Sequence, residues 1–464
     1  MFIRVRFCLG QELVNLRNLI TGLLALVSCL WIAGSIAGAQ SRSLAITHVS
    51  VIDATGSAPK RDQTVVVTGD RIVAVGASNR VRVPTGAELL DGTGKFVIPG
   101  LWDMHVHLGA YEDGRKTLLR LLASGITGVR DMASPLDDIL RLRQDAEAGT
   151  IASPRIVAAG PILQGPLPFR VPPLVRIVTE RDAKQTVDEL RTRGVDFIKV
   201  GDTLTRDAYF AIAQESRRLG IAFVGHLPPS VRASEAAQAG QRSLEHFGSA
   251  GFRNVLVACS REESDLDAYL QQALEVTRAG GESPDAKIYR PDFARRLVDS
   301  YDDRRATTLF ALFVKNGTWQ VPTFVALRDV WTSAKSKLSP EEVAAGERVS
   351  QKTIEMFAAM RRAGVKVLAG SDLTIRDGVP SLHEELLALV NVGMTPMAAL
   401  QSATNNPAEF LGREREEGTI EIGKKANLTV LDANPLEDIA NTRRVAAVIL
   451  AGKLFHVSDI QKLN

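Results

Sequence analysis

Through the middle of the chain, short apolar runs that end in polar residues or glycine alternate with stretches of helical periodicity. Strongly apolar strands that alternate with helices are typical of a parallel β-sheet covered by helices. Eight such units that close on themselves form a (β/α)8 barrel, or TIM barrel. The pattern therefore predicts an α/β fold with a barrel over residues 99–416. The candidate strands are FVIPGLWDMHVHL, ITGVRDM, RIVAAG, DFIKVG, AFVGHL, RSLEHF, TWQVPTFVAL and KVLAGSDL.

A different pattern, short β-rich runs separated by turn signals, occurs at both ends of this central region. Before it stand ITHVSVID, TVVVTGD, RIVAVG and KFVIPG, and after it stand GTI, NLTVLD and VAAVILAGKLF. We expect both ends to supply strands to one small β-sandwich domain, made of residues 40–98 and 417–464.

Two segments interrupt the barrel pattern. Residues 248–317 form a long, polar and helical insertion after the sixth candidate strand, and Pro161 to Pro173 is a proline-rich loop after the third. Both follow the carboxyl end of a strand, which is the face on which such barrels carry their active sites. We expect both segments to overhang that face.

The first 39 residues have the pattern of an export signal. Three arginines precede an apolar stretch at 19–36, and Ala37, Gly38 and Ala39 offer the small side chains that a signal peptidase requires. We therefore expect cleavage before Gln40 and a periplasmic or secreted protein. Two alternatives remain: about 18 apolar residues can also anchor a protein in a bilayer, and the sequence LVSC ending at Cys29 fits a lipoprotein acylation site.

Composition and charge limit the classes of partner that the protein is expected to bind. The 464 residues are 45% hydrophobic and 23% charged, which is ordinary for a folded protein. Lys plus Arg total 56 against 53 Asp plus Glu, so phosphate-backbone binding is not expected, and we predict no nucleic-acid partner. Without the signal, Cys259 is the single cysteine, and we predict no disulfide and no stable membrane association unless Cys29 is acylated.

Histidines concentrate at the ends of candidate strands. Of seven in the chain, His105 and His107 end the first strand, and His226 and His246 follow the fifth and sixth. Strand side chains alternate between faces, so His105 and His107 point into the same interior. Two neutral imidazoles there make half of a metal site. The alternative is a pair of hydrogen-bonded polar residues at a strand end.

Two further charged residues end candidate strands. Asp372 ends the eighth, which adjoins the first in a closed barrel, so its carboxylate is expected beside the histidine pair; capping of the next helix is the alternative. Lys199 ends the fourth, where an inward lysine is costly unless it is paired or modified. A lysine that snorkels or forms an ion pair is the alternative there.

Together these motifs resemble the amidohydrolase superfamily, and the resemblance runs from about Ala45 to Leu454. It is closest to the branch with imidazolonepropionase-like hydrolases and Xaa-Pro dipeptidases. One departure is Asn427, which stands where an aspartate is usual in the "ADL" motif of the tail. The matching segments are VIPGLWDMHVHL, VRDM, FIKVG, VGHL, SLEHF, LAGSDL, LHEEL, ATNNPAEFLG and GTIEIGKKANLTVLDANPL.

The resemblance implies a centre of two divalent metal ions. His105, His107 and Asp372 would hold one, His226 and His246 the other, and Lys199, carboxylated by carbon dioxide, would bridge them. Zn2+ suits these ligands best, although Mn2+, Co2+ and Fe2+ are compatible. Two metals activate a shared water and polarise a carbonyl, and Asp372 would be the catalytic acid and base.

The implied reaction is hydrolysis of a carbon–nitrogen bond in a small amide or peptide-like substrate, such as a dipeptide or N-acyl amino acid. His383 and Arg130 are candidate substrate contacts, with a helix-start residue and an internal ion pair as the respective alternatives. Two other functions stay open, a deaminase of cyclic amidines that uses one metal and a catalytically inactive scaffold. The presence of Lys199 disfavours the deaminase, which needs no bridging ligand. The presence of all six ligand residues disfavours the scaffold, which needs none of them.

Overall fold

The computed structural model describes residues 43–110, 113–166, 173–248, 254–280, 290–372, 375–376 and 379–461. The expected signal sequence at 1–39, with Cys29 and the cleavage site, lies outside these residues. Within them, no helix combines the length and the apolar character that crossing a bilayer demands.

The first described residues form a group of five strands, and the first of these strands pairs with three of the others. Strand β1 pairs antiparallel with β2, and it also pairs in parallel with β4 through Leu44–Thr47 and with β5 through Ser50–Val51. Valines and isoleucines of β1, β2 and β5 form a separate buried cluster. These strands are β1 (Ser43–Val51), β2 (Lys60–Thr68), β3 (Arg71–Ala77), β4 (Glu88–Asp91) and β5 (Phe96–Pro99).

The central region then supplies parallel strands. They are β6 (Leu101–Val106), β7 (Ile126–Asp131), β8 (Arg155–Ala158), β9 (Ile162–Gln164), β10 (Leu174–Arg176), β11 (Phe197–Val200), β12 (Ala222–Gly225), β13 (Ser243–Glu245) and β14 (Trp319–Val321). Their order is β6-β7-β8 in one sheet and β10-β9-β11-β12-β13-β14 in the other. Seven of the eight candidate segments therefore form regular strands.

The eighth candidate segment, KVLAGSDL at residues 366–373, differs from the prediction in its described part, which ends at Asp372. It contains an isolated parallel bridge at Val367 rather than a regular strand. It nevertheless lies between the two sheets, since Leu368 N donates to Gln320 O of β14 and Met104 N of β6 donates to Ala369 O, each at 2.9 Å. Backbone hydrogen bonds thus join the last barrel segment to the first.

The proline-rich loop expected from Pro161 to Pro173 also differs in its described part. Residues 162–164 form strand β9, which pairs with β11 through Ile162 and Lys199 and with the added strand β10. Flanking prolines hid this short strand, because proline usually signals a break in a sheet.

Helices follow most barrel strands. They are α1 (Gly114–Ala123), α2 (Leu136–Glu147), α3 (Glu180–Thr192), α4 (Arg206–Leu219), α5 (Ala233–Ala239), α6 (Asn254–Ala258), α7 (Glu263–Arg278), α8 (Pro291–Asp299), α9 (Asp303–Asn316), α10 (Phe324–Lys335), α11 (Pro340–Arg362), α12 (Leu382–Asn391), α13 (Pro396–Ser402), α14 (Asn405–Phe410) and α15 (Val457–Gln461). Local sequence sets their ends: Ser339 and Glu342 form a capping box before α11, and left-handed Gly317 terminates α9. Helices α6 to α9 lie in the 248–317 insertion.

The remaining strands are a two-residue hairpin, β15 (Ile375–Arg376) and β16 (Val379–Pro380), and the C-terminal strands β17 (Leu428–Leu431), β18 (Val445–Leu450) and β19 (Lys453–His456). Strand β17 pairs antiparallel with β5, which gives one sheet in the order β19-β18-β17-β5-β1-β2-β3. Both ends of the chain therefore share a β layer, and β5 leads directly from that layer into β6.

Candidate metal centre

The six predicted ligand residues lie at or just beyond the carboxyl ends of the central strands. His105 is in β6, Lys199 is in β11, and His226 and His246 directly follow β12 and β13. Ring centroids are 5.2 Å apart for His105 and His107, 4.9 Å for His105 and His246, and 5.3 Å for His226 and His246. The fold thus gathers residues that are far apart in sequence into one cluster of imidazoles.

Asp372 lies at the centre of this cluster. Its Oδ1 is 2.9 Å from His107 Nε2 and 3.2 Å from His105 Nε2, and its Oδ2 is 3.8 Å from His246 Nε2. Ligand atoms of His105, His246 and Asp372 all lie within 4.8 Å of one another, which is close enough for a single ion to contact all three. A carboxylate and imidazoles that converge in this way can bind a divalent transition metal.

The other ring nitrogen, Nδ1, of each histidine faces an oxygen atom. The pairs are His105 with Glu245 Oε2 at 2.8 Å, His107 with Ala133 O at 3.4 Å, His246 with Thr323 Oγ1 at 2.5 Å, and His226 with Asp202 Oδ2 at 3.7 Å. An oxygen at Nδ1 leaves Nε2 as the ligand atom, and such partners are usual around metal-binding histidines.

Burial favours the neutral forms that bind metals. It holds the pKa of His226 and of His246 well below the usual histidine value, and it lowers the pKa of Lys199 to about 8. Burial alone would raise the pKa of Asp372, but its interactions with His105, His246 and His107 hold that pKa well below its usual value. The centre therefore offers neutral imidazoles at His226 and His246 beside an ionised carboxylate.

One buried nitrogen atom fits a ligand that the protein itself does not provide. His105 Nε2 has no hydrogen-bond partner, although buried polar groups are normally paired. The other ring nitrogen of His105, Nδ1, faces Glu245. The unpartnered nitrogen and the donor set around it together fit one or more divalent cations.

The backbone is strained where it delivers three of these side chains. His246, Thr323 and Asp372 have φ angles of 54°, 49° and 61°, in the left-handed region that residues other than glycine seldom adopt. Such conformations persist only where the surroundings enforce them, and they concentrate at functional sites.

Close backbone approach requires glycine beside the cluster. A Cβ at Gly370 would lie 2.7 Å from His105 Cβ, and one at Gly225 would lie 2.3 Å from Val200 O and 2.9 Å from Lys199 Cδ. Gly370 therefore lets the 366–372 segment reach β6, and Gly225 leaves room for the buried lysine.

Two carboxylates that support the cluster were not predicted. Asp103 accepts hydrogen bonds from Ser371 N at 2.9 Å and Ser371 Oγ at 2.7 Å, and so it fixes the residue before Asp372. Burial raises the pKa of Asp103 to about 6. Its position two residues before His105, in WDMHVH, was the available signal, because alternate strand residues share a face.

The second supporting carboxylate is Glu245, which contacts His105. It does so although it directly precedes His246, whose side chain also lies in the cluster. Strict alternation would place these neighbours on opposite faces, but β13 ends at Glu245 and the positive φ of His246 turns the chain. Burial would raise the pKa of Glu245, whereas the Arg130 guanidinium and His105 hold it far below its usual value.

The two candidate substrate contacts are both buried and bonded to other parts of the protein. Arg130 is fully buried and forms the internal ion pair, with Nη2 at 3.0 Å from both carboxylate oxygens of Glu245. His383 is buried as well, with Nε2 at 3.1 Å from Ser124 O. Ser124 precedes Gly125, whose carbonyl accepts from Leu101 N at the start of β6, so His383 lies at the amino end of the strands and not at the expected rim.

Known proteins share this sequence pattern and fold. The sequence model described as "Amidohydrolase family" matches residues 96–455. An imidazolonepropionase of Rubrobacter xylanophilus is 26% identical over 412 residues, which cover 84% of this chain and 90% of that protein. An ochratoxinase of Aspergillus niger is 23% identical over 421 residues, which cover 77% of this chain and 75% of that protein.

A solved structure of a Xaa-Pro dipeptidase, described with methionine bound in its active site, superposes with a TM-score of 0.65. It is 22% identical, and the match covers 89% of this chain and 100% of that one. This likeness identifies the fold as an α/β fold of the TIM-barrel type. The match to the family sequence model and the hydrolase-named relatives lead to one conclusion: the chain belongs to the amidohydrolase family and is a hydrolase that acts on carbon–nitrogen bonds.

Proposed function

We propose that this protein hydrolyses an amide or peptide-like bond of a small molecule, such as a dipeptide or an N-acyl amino acid, at a centre of two divalent metal ions. One observation carries the proposal. Three histidine Nε2 atoms converge on the carboxylate of Asp372, and each of these rings has its Nδ1 directed at another oxygen.

His105, His107 and Asp372 would hold one ion, and His226 and His246 would hold the other. The carboxylated side chain of Lys199 would bridge the two, and its lowered pKa supports this role because only a neutral amine takes up carbon dioxide. Two bound Zn2+ ions, preferred for ligand softness, would supply Lewis acidity that activates water and polarises the scissile carbonyl.

Asp372 would move the proton. An ionised carboxylate among the histidine nitrogens can accept a proton from the attacking water and then donate it to the leaving nitrogen. The low pKa of its carboxyl group keeps Asp372 in the basic form at neutral pH. The strained φ angle of 61° at Asp372 supports a functional role, because such conformations cost local stability and concentrate at functional sites.

We also propose a closed barrel with a small β-sandwich domain beside it. The hydrogen bonds of Leu368 and Met104 support closure of the eight segments into a complete (β/α)8 barrel. The separate buried cluster of the terminal sheet supports a small β-sandwich domain beside it.

We further propose export with cleavage before Gln40, with acylation at Cys29 as the alternative, and a small-molecule partner rather than a nucleic acid. Mass spectrometry of the mature N-terminus tests the first point. An N-terminus at Gln40 supports cleavage by a signal peptidase, whereas a lipid on Cys29 replaces it with anchoring.

Metal content of the purified protein tests the central proposal. About two equivalents per chain, with amide hydrolysis that is lost on chelation and restored by added Zn2+, are expected. One equivalent bound by the group of His105, His246 and Asp372 would instead favour a mononuclear deaminase of cyclic amidines. Absence of bound metal and of activity would favour an inactive scaffold.

A further inference from the structure

A closed network of buried polar groups lies on the far side of His105 from Asp372. Its central member is Glu245, whose side chain is fully buried. Oε2 of Glu245 is 2.8 Å from His105 Nδ1, and Oε1 accepts from Ser243 Oγ at 2.6 Å. Arg130 Nη2 donates to both oxygens at 3.0 Å.

Arg130 is itself fully paired in this network. Its Nε donates to Met104 O at 2.6 Å, and its Nη1 donates to Ser243 Oγ at 3.1 Å. A buried carboxylate is costly unless it is both charge-paired and hydrogen-bonded, and Glu245 meets both conditions. The carboxylate is therefore ionised and held in place from three sides.

A histidine that binds a metal is neutral, and an ionised carboxylate can only accept hydrogen bonds, so the single ring proton of metal-bound His105 must lie on Nδ1. This places the lone pair on Nε2, the atom that lies 3.2 Å from Asp372 Oδ1 and lacks a hydrogen-bond partner. Because Met104 O also holds Arg130, the network fixes the backbone next to His105 as well as its ring.

We propose that Glu245 is a positioning residue that, supported by Arg130, fixes the tautomer and orientation of His105 for metal binding. The inference rests on the proposed metal centre and assigns a function to the two buried charges that the reaction itself does not use. A merely structural ion pair would stabilise the core and leave metal affinity unchanged.

Glu245→Gln tests the proposal because the amide keeps the size of the side chain but removes its charge. Loss of such a partner typically weakens metal binding about 10- to 100-fold. We expect a shift of this size in the Zn2+ dissociation constant, measured by chelator competition on the full-length enzyme. The matched control is Glu417→Gln, since Glu417 is also buried and pairs with Arg413 but contacts no histidine in the described residues.

Unchanged Zn2+ affinity in folded Glu245→Gln would overturn the proposal. An equal loss of Zn2+ affinity in the control variant Glu417→Gln would overturn it as well. Glu245→Gln could fail to fold because it leaves the guanidinium of Arg130 without a charged partner. In that case the double variant Arg130→Met/Glu245→Gln removes both charges, and its Zn2+ affinity is measured in the same way. If the wild-type protein binds no metal, the proposed function itself fails. If the wild type binds Zn2+ and Glu245→Gln binds it equally well, only the proposal for Glu245 fails.

A second measurement needs no change at Glu245. Long-range 1H–15N spectra of 15N-histidine-labelled, zinc-loaded protein, with His105 assigned by a His105→Asn variant, report which ring nitrogen carries the proton. The proposal predicts a proton on Nδ1 and metal on Nε2. A proton on Nε2 would contradict it.

Discussion

The two largest buried cations of the site differ in their partners, and this difference sets their chemistry. Arg130 has a carboxylate at 3.0 Å and is held as an internal ion pair. Lys199 is 1% exposed, and burial lowers its pKa to about 8. A population of neutral amine therefore exists near neutral pH, and only this form can become a carbamate.

Lys199→Ala should lose metal and activity together, because it removes the proposed bridging ligand. Short-chain carboxylic acids at high concentration should restore part of both by filling the space. Metal analysis and amide hydrolysis with and without added acetate or propionate provide the check. Retention of two metal equivalents by the variant would remove Lys199 from the centre.

Asp372→Asn keeps the size of the side chain and one oxygen ligand but removes the basic carboxylate. We expect kcat on an amide substrate to fall about 10²- to 10⁴-fold in the metal-loaded variant, the usual cost of losing a general base. Metal content is the control, because a variant that has lost its ions reports ligation alone. A metal-replete variant with near wild-type kcat would assign the proton transfer to another group.

The ends of the strands, more than their interiors, determine the site. The sequence pattern located most strands and placed the histidines at their carboxyl ends, since a short apolar run that ends in polar residues or glycine is a local property. Glu245 could not be found in this way, because the backbone turns at His246. Strand β9 was hidden by prolines, and the burial of His383 and Arg130 depends on contacts distant in sequence.

Gly370→Ala tests how closely the 366–372 segment must approach β6. The added Cβ would lie 2.7 Å from His105 Cβ and 2.8 Å from Val321 Cγ1, so both strands must shift. Overpacking of this kind costs about 1–3 kcal/mol in the free energy of unfolding. We also expect weaker Zn2+ binding because His105 moves.

Gly76→Ala is the matched control, since its Cβ would meet Val81 Cγ2 at 3.3 Å in the terminal sheet. Denaturant unfolding and metal titration of both variants give the comparison. Equal metal affinity of Gly370→Ala and wild type would show that the segment tolerates displacement without disturbing the cluster.

At the scale of the whole molecule, buried polar contacts join the central region to the chain's C-terminal part. His383 bonds through Nε2 to Ser124 O and through Nδ1 to Thr442 Oγ1 at 3.0 Å. Thr442 lies in a short 3-10 helix, Ile439–Arg443, between β17 and β18. His383 therefore links the central region to the segment between the two C-terminal strands.

Burial lowers the pKa of His383 from 6.5 to about 4, which makes stability depend on pH. Between these values the unfolded chain binds a proton that the folded chain does not, so stability falls as the pH falls from about 6.5 to about 4. The contribution is about 3 kcal/mol over that window. His383→Gln removes the group, and its unfolding free energy should decline less steeply than that of wild type.

Chemical denaturation of both proteins at several pH values measures this difference, with metal content matched. Parallel stability curves across the window would show that His383 does not resist protonation in the folded state.

Anomalous diffraction from crystals of the zinc-loaded protein, recorded on both sides of the zinc absorption edge, counts and locates the bound ions. We expect two peaks per chain, one enclosed by His105, His107 and Asp372, the other by His226 and His246, with continuous density from Lys199 between them. A single peak, or peaks away from these side chains, would contradict the binuclear centre on which the proposed function depends.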